Sequence, residues 1–527
     1  MKPMSLRLRT ALMAAALPAA FLFAGQANAD VKLPAVIGNS MVLQQGQPVP
    51  VWGWADDGEK VTVKFGDQTV TTEAAGGKWS VKLAPLTASA KPAEMTVSGK
   101  NSITLKDILV GEVWVCSGQS NMEWTVSSAK DAQKEIAAAN HPTIRLFDVP
   151  NTTSPKEKQT DTKAAWTACT PQTIGPFTAV GYYFGRELNQ KLNVPVGLLH
   201  SSWGGTPAEA WTEISYFQKS PELAGIPSSW DQQAQNYQKQ KEAWDKNKDK
   251  LMADWKAKAD EAKAAKKPVP QQPRPPQDPA TSPHSPATLY NGMISPLLPY
   301  ASKGAIWYQG ESNAGRAYAY RTLLPLMIQS WRDAWGNQDF KFLIVQLANF
   351  QQPAKVPGDD SWAELREAQT MTAALPNNGQ ALAIDLADAD NPNDIHPKNK
   401  QDVGKRLALV ALGKYYGKDV VYAGPEYDSM KIDGEKAVIK FKNAQGLKAK
   451  GDKVLGFAIC GEDKKWVWAD AKVEGDTVVV SSPEVKKPVA VRYAWSINPL
   501  TNLYNAADLP ANPFRTDNWP GVTQPKK

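Results

Sequence analysis

Cysteine is scarce. Only Cys116, Cys169 and Cys460 occur among 527 residues. An odd, sparse set excludes a disulfide framework as the basis of stability, and the spacing matches no zinc site. Cys116 lies in an apolar run and reads as a small buried residue. Histidine is nearly as scarce, with His141, His200, His284 and His396. Charge of one sign is also lacking. The formal net charge of +7 is small for this length, and no basic run is interleaved with aromatics, which argues against a nucleic-acid partner. Past the first 29 residues no stretch is apolar enough to span a bilayer, so membrane insertion is not expected.

What is present sets the class. The hydrophobic fraction of 42% allows a sizeable core, and the length suits roughly three or four domains. Nineteen tryptophans are first of all core and interface residues; some could line a sugar-binding cleft. Residues 1–29 read as an export leader. Lys2, Arg7 and Arg9 precede a short apolar segment at 11–23, and Ala27-Asn28-Ala29 is a small-residue cleavage site. The expected mature chain starts at Asp30 and is periplasmic or secreted.

Residues 30–107 read as all-β, with short β-branched and aromatic runs separated by turns such as Asp56-Asp57-Gly58. From Ile108 apolar strands alternate with helical stretches. Strand candidates are 110–115, 196–199, 305–308 and 342–346, and 182–192 reads as a helix. This alternation predicts a parallel sheet flanked by helices. Trp230, Tyr237, Trp244 and Leu251 recur every seven residues in a polar background. They predict a long amphipathic helix or helical hairpin within an insertion at 215–287. It ends in a proline-rich stretch, 268–286, that cannot stay helical. The simplest role is a surface arm. From about Val420 the pattern is β again. The expected domains are thus the leader 1–29, an N-terminal β domain 30–107, a catalytic α/β domain 108–418 and a C-terminal β domain 419–527.

The sharpest chemical signal is Ser117-Gly118-Gln119-Ser120-Asn121-Met122, directly after a strand. A strand-to-helix turn containing glycine exposes a serine and frees its backbone N–H. A nucleophile elbow of the α/β-hydrolase type needs glycine two residues before and two after the serine. Gly118 meets the first need and Met122 fails the second, so this is a different serine-hydrolase loop or a chance one. A nucleophilic serine requires a base. His284 lies in the proline-rich linker, His141 precedes a strand, and His200 ends one and reads as structural. His396, in Asn393-Asp394-Ile395-His396-Pro397, sits between a strand end and a helix start, where α/β active sites collect. It is the best base, with Asp394 nearby to orient it. Oxyanion donors can come from Gly204-Gly205 and from Gln309-Gly310-Glu311-Ser312-Asn313, both after strands.

At these residues the chain resembles the sialate O-acetylesterases, the carbohydrate-esterase branch of the SGNH (GDSL-like) hydrolases. The resemblance covers nearly all of the mature chain. It rests on the stretch from Val113 to Trp124, on Gly197-Leu198-Leu199-His200-Ser201-Ser202-Trp203-Gly204-Gly205-Thr206, on Tyr290-Asn291-Gly292-Met293-Ile294, on Ile306-Trp307-Tyr308-Gln309-Gly310-Glu311-Ser312-Asn313 and on Asp394-Ile395-His396-Pro397. It implies a flavodoxin-like three-layer α/β/α domain flanked by β-sandwich-like domains, and hydrolysis without cofactor or metal. It also implies Ser120 as nucleophile and His396 as base. The oxyanion hole would be built from Ser120 N–H, Gly205 N–H and the Gln309 amide, with Asn313 as an alternative. One departure is clear: the superfamily places its aspartate three residues before the histidine, where this chain has Asn393. Asp394 then completes a triad, or the site is a Ser-His dyad helped by Asp385, Asp388 or Glu311. The expected substrate is an O-acetylated carbohydrate, either a sialic acid or a plant polysaccharide such as xylan or xyloglucan. The rival readings are a non-catalytic carbohydrate-binding protein and a lipase or thioesterase of the same superfamily.

Overall fold

The longest strand explains how the β and α/β parts of the chain join. The computed structural model describes residues 30–525; the expected leader lies outside the described residues. Strand Ser102–Gly118 (β1) changes character along its 17 residues. Its first half alternates between exposed and covered positions, as a half-solvated antiparallel strand should. There it pairs with Ser89–Ser98. Its second half, Ile108 onward, is buried on both faces, because Leu, Val, Trp and Cys follow one another without polar alternation. That half joins a parallel sheet, so one strand runs without interruption through position 107.

The other parallel strands are His141–Asp148 (β2), Val196–Ser202 (β3), Gly304–Tyr308 (β4), Lys341–Gln346 (β5) and Asn378–Leu382 (β6). Their order is β6-β5-β4-β1-β3-β2, with Thr167–Cys169 added antiparallel beyond β2. From β1 the chain goes out to β2, returns to β3 beside β1, and then steps outward on the other side through β4, β5 and β6. The C-terminal end of β1 is therefore the switch point where open α/β sheets place their ligands.

The helices are Ser120–Glu123 (α1), Ala179–Leu192 (α2), Gly225–Ala264 (α3), Ala317–Trp335 (α4), Ser361–Ala373 (α5) and Lys400–Tyr415 (α6). On one face α2 packs against α6, and its Phe184 meets Trp114 edge-on at 5.1 Å between ring centroids. On the other face α4 packs against α5, and its Trp331 meets Trp307 at 5.9 Å. This is the three-layer α/β/α architecture that the resemblance implies, and it contains the helix-flanked parallel sheet that the alternation of elements predicts.

The N-terminal strands share a single hydrophobic core with the α/β layers. The C-terminal strands enclose a separate core of residues such as Ile439, Phe457, Val480 and Phe514. The insertion is one helix, α3, rather than a hairpin of helices. Trp230, Tyr237 and Trp244 are half-buried on it, and the proline-rich segment turns back along it, with Trp255 Nε1 donating to Pro270 O at 2.8 Å. At 40 residues the helix is about 60 Å long. No helix among the described residues is long and apolar enough to cross a membrane.

Arg366 ties the C-terminal β region to the loop after β5. Its guanidinium, fully buried, donates to four main-chain carbonyls, those of Leu347, Ala348, Ser496 and Ile497, at 2.6–3.1 Å. Each buried carbonyl left without a donor costs about 1–3 kcal/mol. Arg366→Ala is therefore expected to lower stability by more than about 3 kcal/mol. It should also open the region beyond residue 420 to proteases before the α/β layers unfold. Thermal melts with limited proteolysis check this; an unchanged melt and digestion pattern would contradict it.

Candidate active site

Four loops at the C-terminal ends of the strands build the site. β1 ends at Gly118, which has φ 143. A Cβ there would lie 2.2 Å from the Tyr308 carbonyl oxygen of β4, so only glycine lets the chain turn at this point. Ser120 then opens α1, a single helical turn. Trp124 ends it with extended ψ, so no long helix follows and no second glycine is needed. Met122 instead drops into the core, fully buried, and its carbonyl accepts from Thr178 Oγ1 at 2.6 Å.

β3 ends in the Gly204-Gly205 turn. Gly204 N–H donates to Glu123 Oε2 at 2.8 Å, and a Cβ on Gly204 would meet Ser120 Cβ at 3.4 Å. This glycine loop is thereby pressed against the serine turn. Gly205, with φ 75, is exposed. The N–H groups of Ser120 and Gly205 donate to no group among the described residues, which leaves two backbone donors beside the serine.

The histidine arrives from the far edge of the sheet, after β6. His396 Nε2 lies 2.9 Å from Ser120 Oγ, across 276 residues of sequence. Trp124 stacks on the imidazole at 4.8 Å and 17°, which fixes the ring plane. Asp394 Oδ1 lies 3.3 Å from His396 Nδ1. The same oxygen also accepts the His396 backbone N–H at 2.9 Å, so it is shared between ring and main chain. Burial pushes the His396 ring below its ordinary range, the Lys400 charge adds to that, and Asp394 opposes both. A neutral imidazole is the form able to accept a proton.

The other acidic candidates are engaged elsewhere. Asp385 pairs with Arg406 at 2.6 and 2.8 Å and accepts from Tyr504 Oη at 3.0 Å. Asp388 accepts from the Asp390 N–H at 3.1 Å. Glu311 accepts from Asn121 Nδ2 at 2.6 Å.

The two amides expected as oxyanion donors are turned inward. Gln309 is 0% exposed, and its Nε2 donates to Asn313 Oδ1 at 2.7 Å and to Thr206 O at 3.3 Å. Asn313 is 1% exposed, and its Nδ2 donates to Glu209 at 2.9 Å. Both side chains are thus covered and make hydrogen bonds within the protein. The pair braces the wall between the β3 and β4 loops, where Asn313 Oδ1 also accepts the Ala208 N–H.

His200 is held within its own set. Nδ1 lies 2.7 Å from Asp148 and Nε2 2.6 Å from Ser202 Oγ, with both His200 and Ser202 buried. His141 is half-buried beside Tyr182. His284 was placed in the linker by sequence, and the fold brings that linker to the site: its Nε2 donates to Gly205 O at 3.0 Å. Trp124 and Lys400 also escaped the sequence reading. Trp124 stood inside the serine motif without a role, and Lys400 looks like any lysine at the start of a helix. Among the described residues no cluster of His, Cys, Asp and Glu is disposed to hold a metal ion.

Residues 110–259 and 281–413 match the family described as "Carbohydrate esterase, sialic acid-specific acetylesterase". The sialate O-acetylesterase of Homo sapiens is 30% identical over 94% of this chain and 95% of its own length. That of Mus musculus is 30% identical over 93% and 94%. A carbohydrate acetylesterase of known structure from Xanthomonas citri superposes with a TM-score of 0.77 at 38% identity, over 93% of this chain and all of that one. The chain belongs to the sialic acid-specific acetylesterase family of carbohydrate esterases.

Proposed function

We propose that the protein hydrolyses O-acetyl esters on a carbohydrate through an acetyl-serine intermediate. The observation that carries this reading is the 2.9 Å contact between Ser120 Oγ and His396 Nε2, beside two free backbone N–H groups. Ser120 Oγ attacks the acetyl carbonyl as His396 takes its proton. The carbonyl oxygen becomes an oxyanion, held by the N–H groups of Ser120 and Gly205. The bond from carbon to the sugar oxygen then breaks, and His396 returns the proton to that oxygen, leaving acetyl-Ser120. Water attacks next with His396 as base, and acetate departs. Asp394 is the third member of this set, a weak one because its oxygen is shared with the main chain. Gln309 and Asn313 are assigned to bracing rather than to the oxyanion itself.

The names of the relatives support the choice of sugar to test: the human and mouse proteins are sialate O-acetylesterases and the bacterial one is a carbohydrate acetylesterase. O-acetylated sialic acid is the first substrate to test, with acetylated xylan and xyloglucan beside it. Delivery to the periplasm or beyond, by the leader at 1–29, belongs to the same proposal, as does a division at 418 and, across one continuous strand and a shared core, at 107.

An acetate-release screen over these substrates tests the function directly. Ser120→Ala and His396→Ala should each lose at least about a thousandfold in kcat while folding normally. His200→Ala should keep most of kcat and lose thermal stability. An active Ser120→Ala, or a dead but stable His200→Ala beside an active His396→Ala, would overturn the assignment.

Asp394→Asn keeps an oxygen that can face the ring. It should lower kcat about tenfold with little change in KM, rather than by the roughly ten-thousandfold seen when a fully engaged triad aspartate is replaced. A loss of that larger size would mean that Asp394 turns wholly to the ring during the reaction.

The pH profile has a definite sign. The base works only when neutral, and the site lowers its pKa, so kcat/KM should hold up as the pH falls through the ordinary histidine value of about 6.5. An acid limb above that value would contradict the site described.

A further inference from the structure

Beneath the Ser120–His396 pair lies a lysine that the proposed chemistry does not use. Lys400, the first residue of α6, is fully buried. A cation at a helix N-terminus is opposed by the helix dipole and, once buried, by loss of hydration. Its Nζ donates to Asn121 Oδ1 at 2.5 Å. The ring of Tyr308 lies 5.3 Å from it and that of Trp124 5.8 Å.

An ammonium group can only donate. Lys400 therefore requires Asn121 to present its oxygen, which turns Asn121 Nδ2 toward two acceptors. One is Ile395 O at 3.0 Å, the residue before His396. The other is Glu311 Oε1 at 2.6 Å, while Glu311 Oε2 is buried without a partner. Asn121 itself follows Ser120. A single amide thus joins the serine, histidine and Glu311 loops, and Lys400 sets its orientation.

From this geometry we infer that Lys400 is a positioning residue: it locks the serine and histidine loops in register through Asn121 and holds its charge beside the Trp124 ring that stacks on His396. The inference rests on the Ser120–His396 reading.

The charged groups around the ring decide the sign. Asp394 lies on the histidine's own loop, Glu311 comes from the loop after β4, and Lys400 comes from α6. Glu123, on α1, is taken up by the Gly204 N–H. Burial pulls Lys400 down to about 7, with Glu311 and Asp394 opposing, so the lysine is charged in the acid range where His396 titrates. Glu311 is pushed up by burial, against its bonds to backbone N–H groups and Asn121 and the Lys400 charge. With the lysine charge gone, no cation is left to oppose Asp394 and Glu311 near the ring, and His396 should protonate at higher pH.

Two variants separate the hydrogen bond from the charge. Lys400→Gln keeps a donor for Asn121 and removes the charge; Lys400→Met removes both. In both, the acid limb of kcat/KM should move up by about one pH unit. At the pH optimum Lys400→Gln should keep kcat within about threefold, whereas Lys400→Met should lose about tenfold or more at nearly constant KM. Lys400→Met leaves the buried Asn121 oxygen without its donor, so its melting temperature should fall, and that of Lys400→Gln should fall less. An unmoved acid limb in both variants overturns the charge role. Equal kcat in the two variants overturns the orienting role. A lower melting temperature with an unmoved limb reduces Lys400 to a packing residue. Ser120→Ala run in parallel keeps the two readings apart: if it still releases acetate, the Ser120–His396 reading fails. If it is inactive and the Lys400 variants titrate normally, only the lysine proposal fails.

Discussion

The structure depends on holding a histidine from the edge of a sheet against a serine from its centre. Ser120 leaves β1, and the histidine loop leaves β6, three strands away. At about 4.8 Å per strand the loop must cross roughly 14 Å of sheet before Nε2 meets Ser120 Oγ. A crossing of that length over a polar sheet end has no core of its own. Its position is set by Leu386 and Ile395, which pack on the main core, and by bonds along its length. Arg406 and Tyr504 grip Asp385 near its start. Gln351 N–H donates to Pro392 O at 2.7 Å midway. Asn121 reaches Ile395 O at its end. Trp124 covers the imidazole.

Seen this way, the C-terminal β region has a mechanical part in the site. Tyr504 comes from that region, and Arg366 fastens its residues 496 and 497 to the loop after β5, the loop that also carries Gln351. The region need not touch substrate to matter. It fixes the outer wall against which the histidine loop is laid. On the opposite side the insertion returns to the rim through His284 and Gly205, so the glycine turn is held from outside by the insertion and from inside by Glu123.

Much of this was legible in the sequence because it follows from local rules. Unbroken apolar runs gave the parallel strands, and the Ser120 and His396 loops were marked by their place after strands. What escaped reading has a common cause. The inward turn of Gln309 and Asn313 depends on partners about a hundred residues away, Thr206 and Glu209, which no local pattern announces. Lys400 and Lys398 are neighbours at one helix start, and only packing makes the first buried and leaves the second exposed. The near approach of His284 to Gly205 requires α3 to end and the proline segment to fold back, a tertiary event. The shift of the aspartate from position 393 to 394 could be seen in sequence. Its consequence, an oxygen divided between the ring and the main chain, could not, because it depends on the loop conformation.

The central claim is that Ser120 carries the acetyl group between the two half-reactions. Rapid acid quenching of the enzyme during turnover of an activated acetyl ester, followed by peptide mass analysis, tests it most directly. The mass increment of one acetyl group is expected on the peptide containing Ser120 and is expected to be absent from the same peptide of Ser120→Ala. An acetyl group found on another residue, or steady acetate release with no covalent species at any time during turnover, would contradict it.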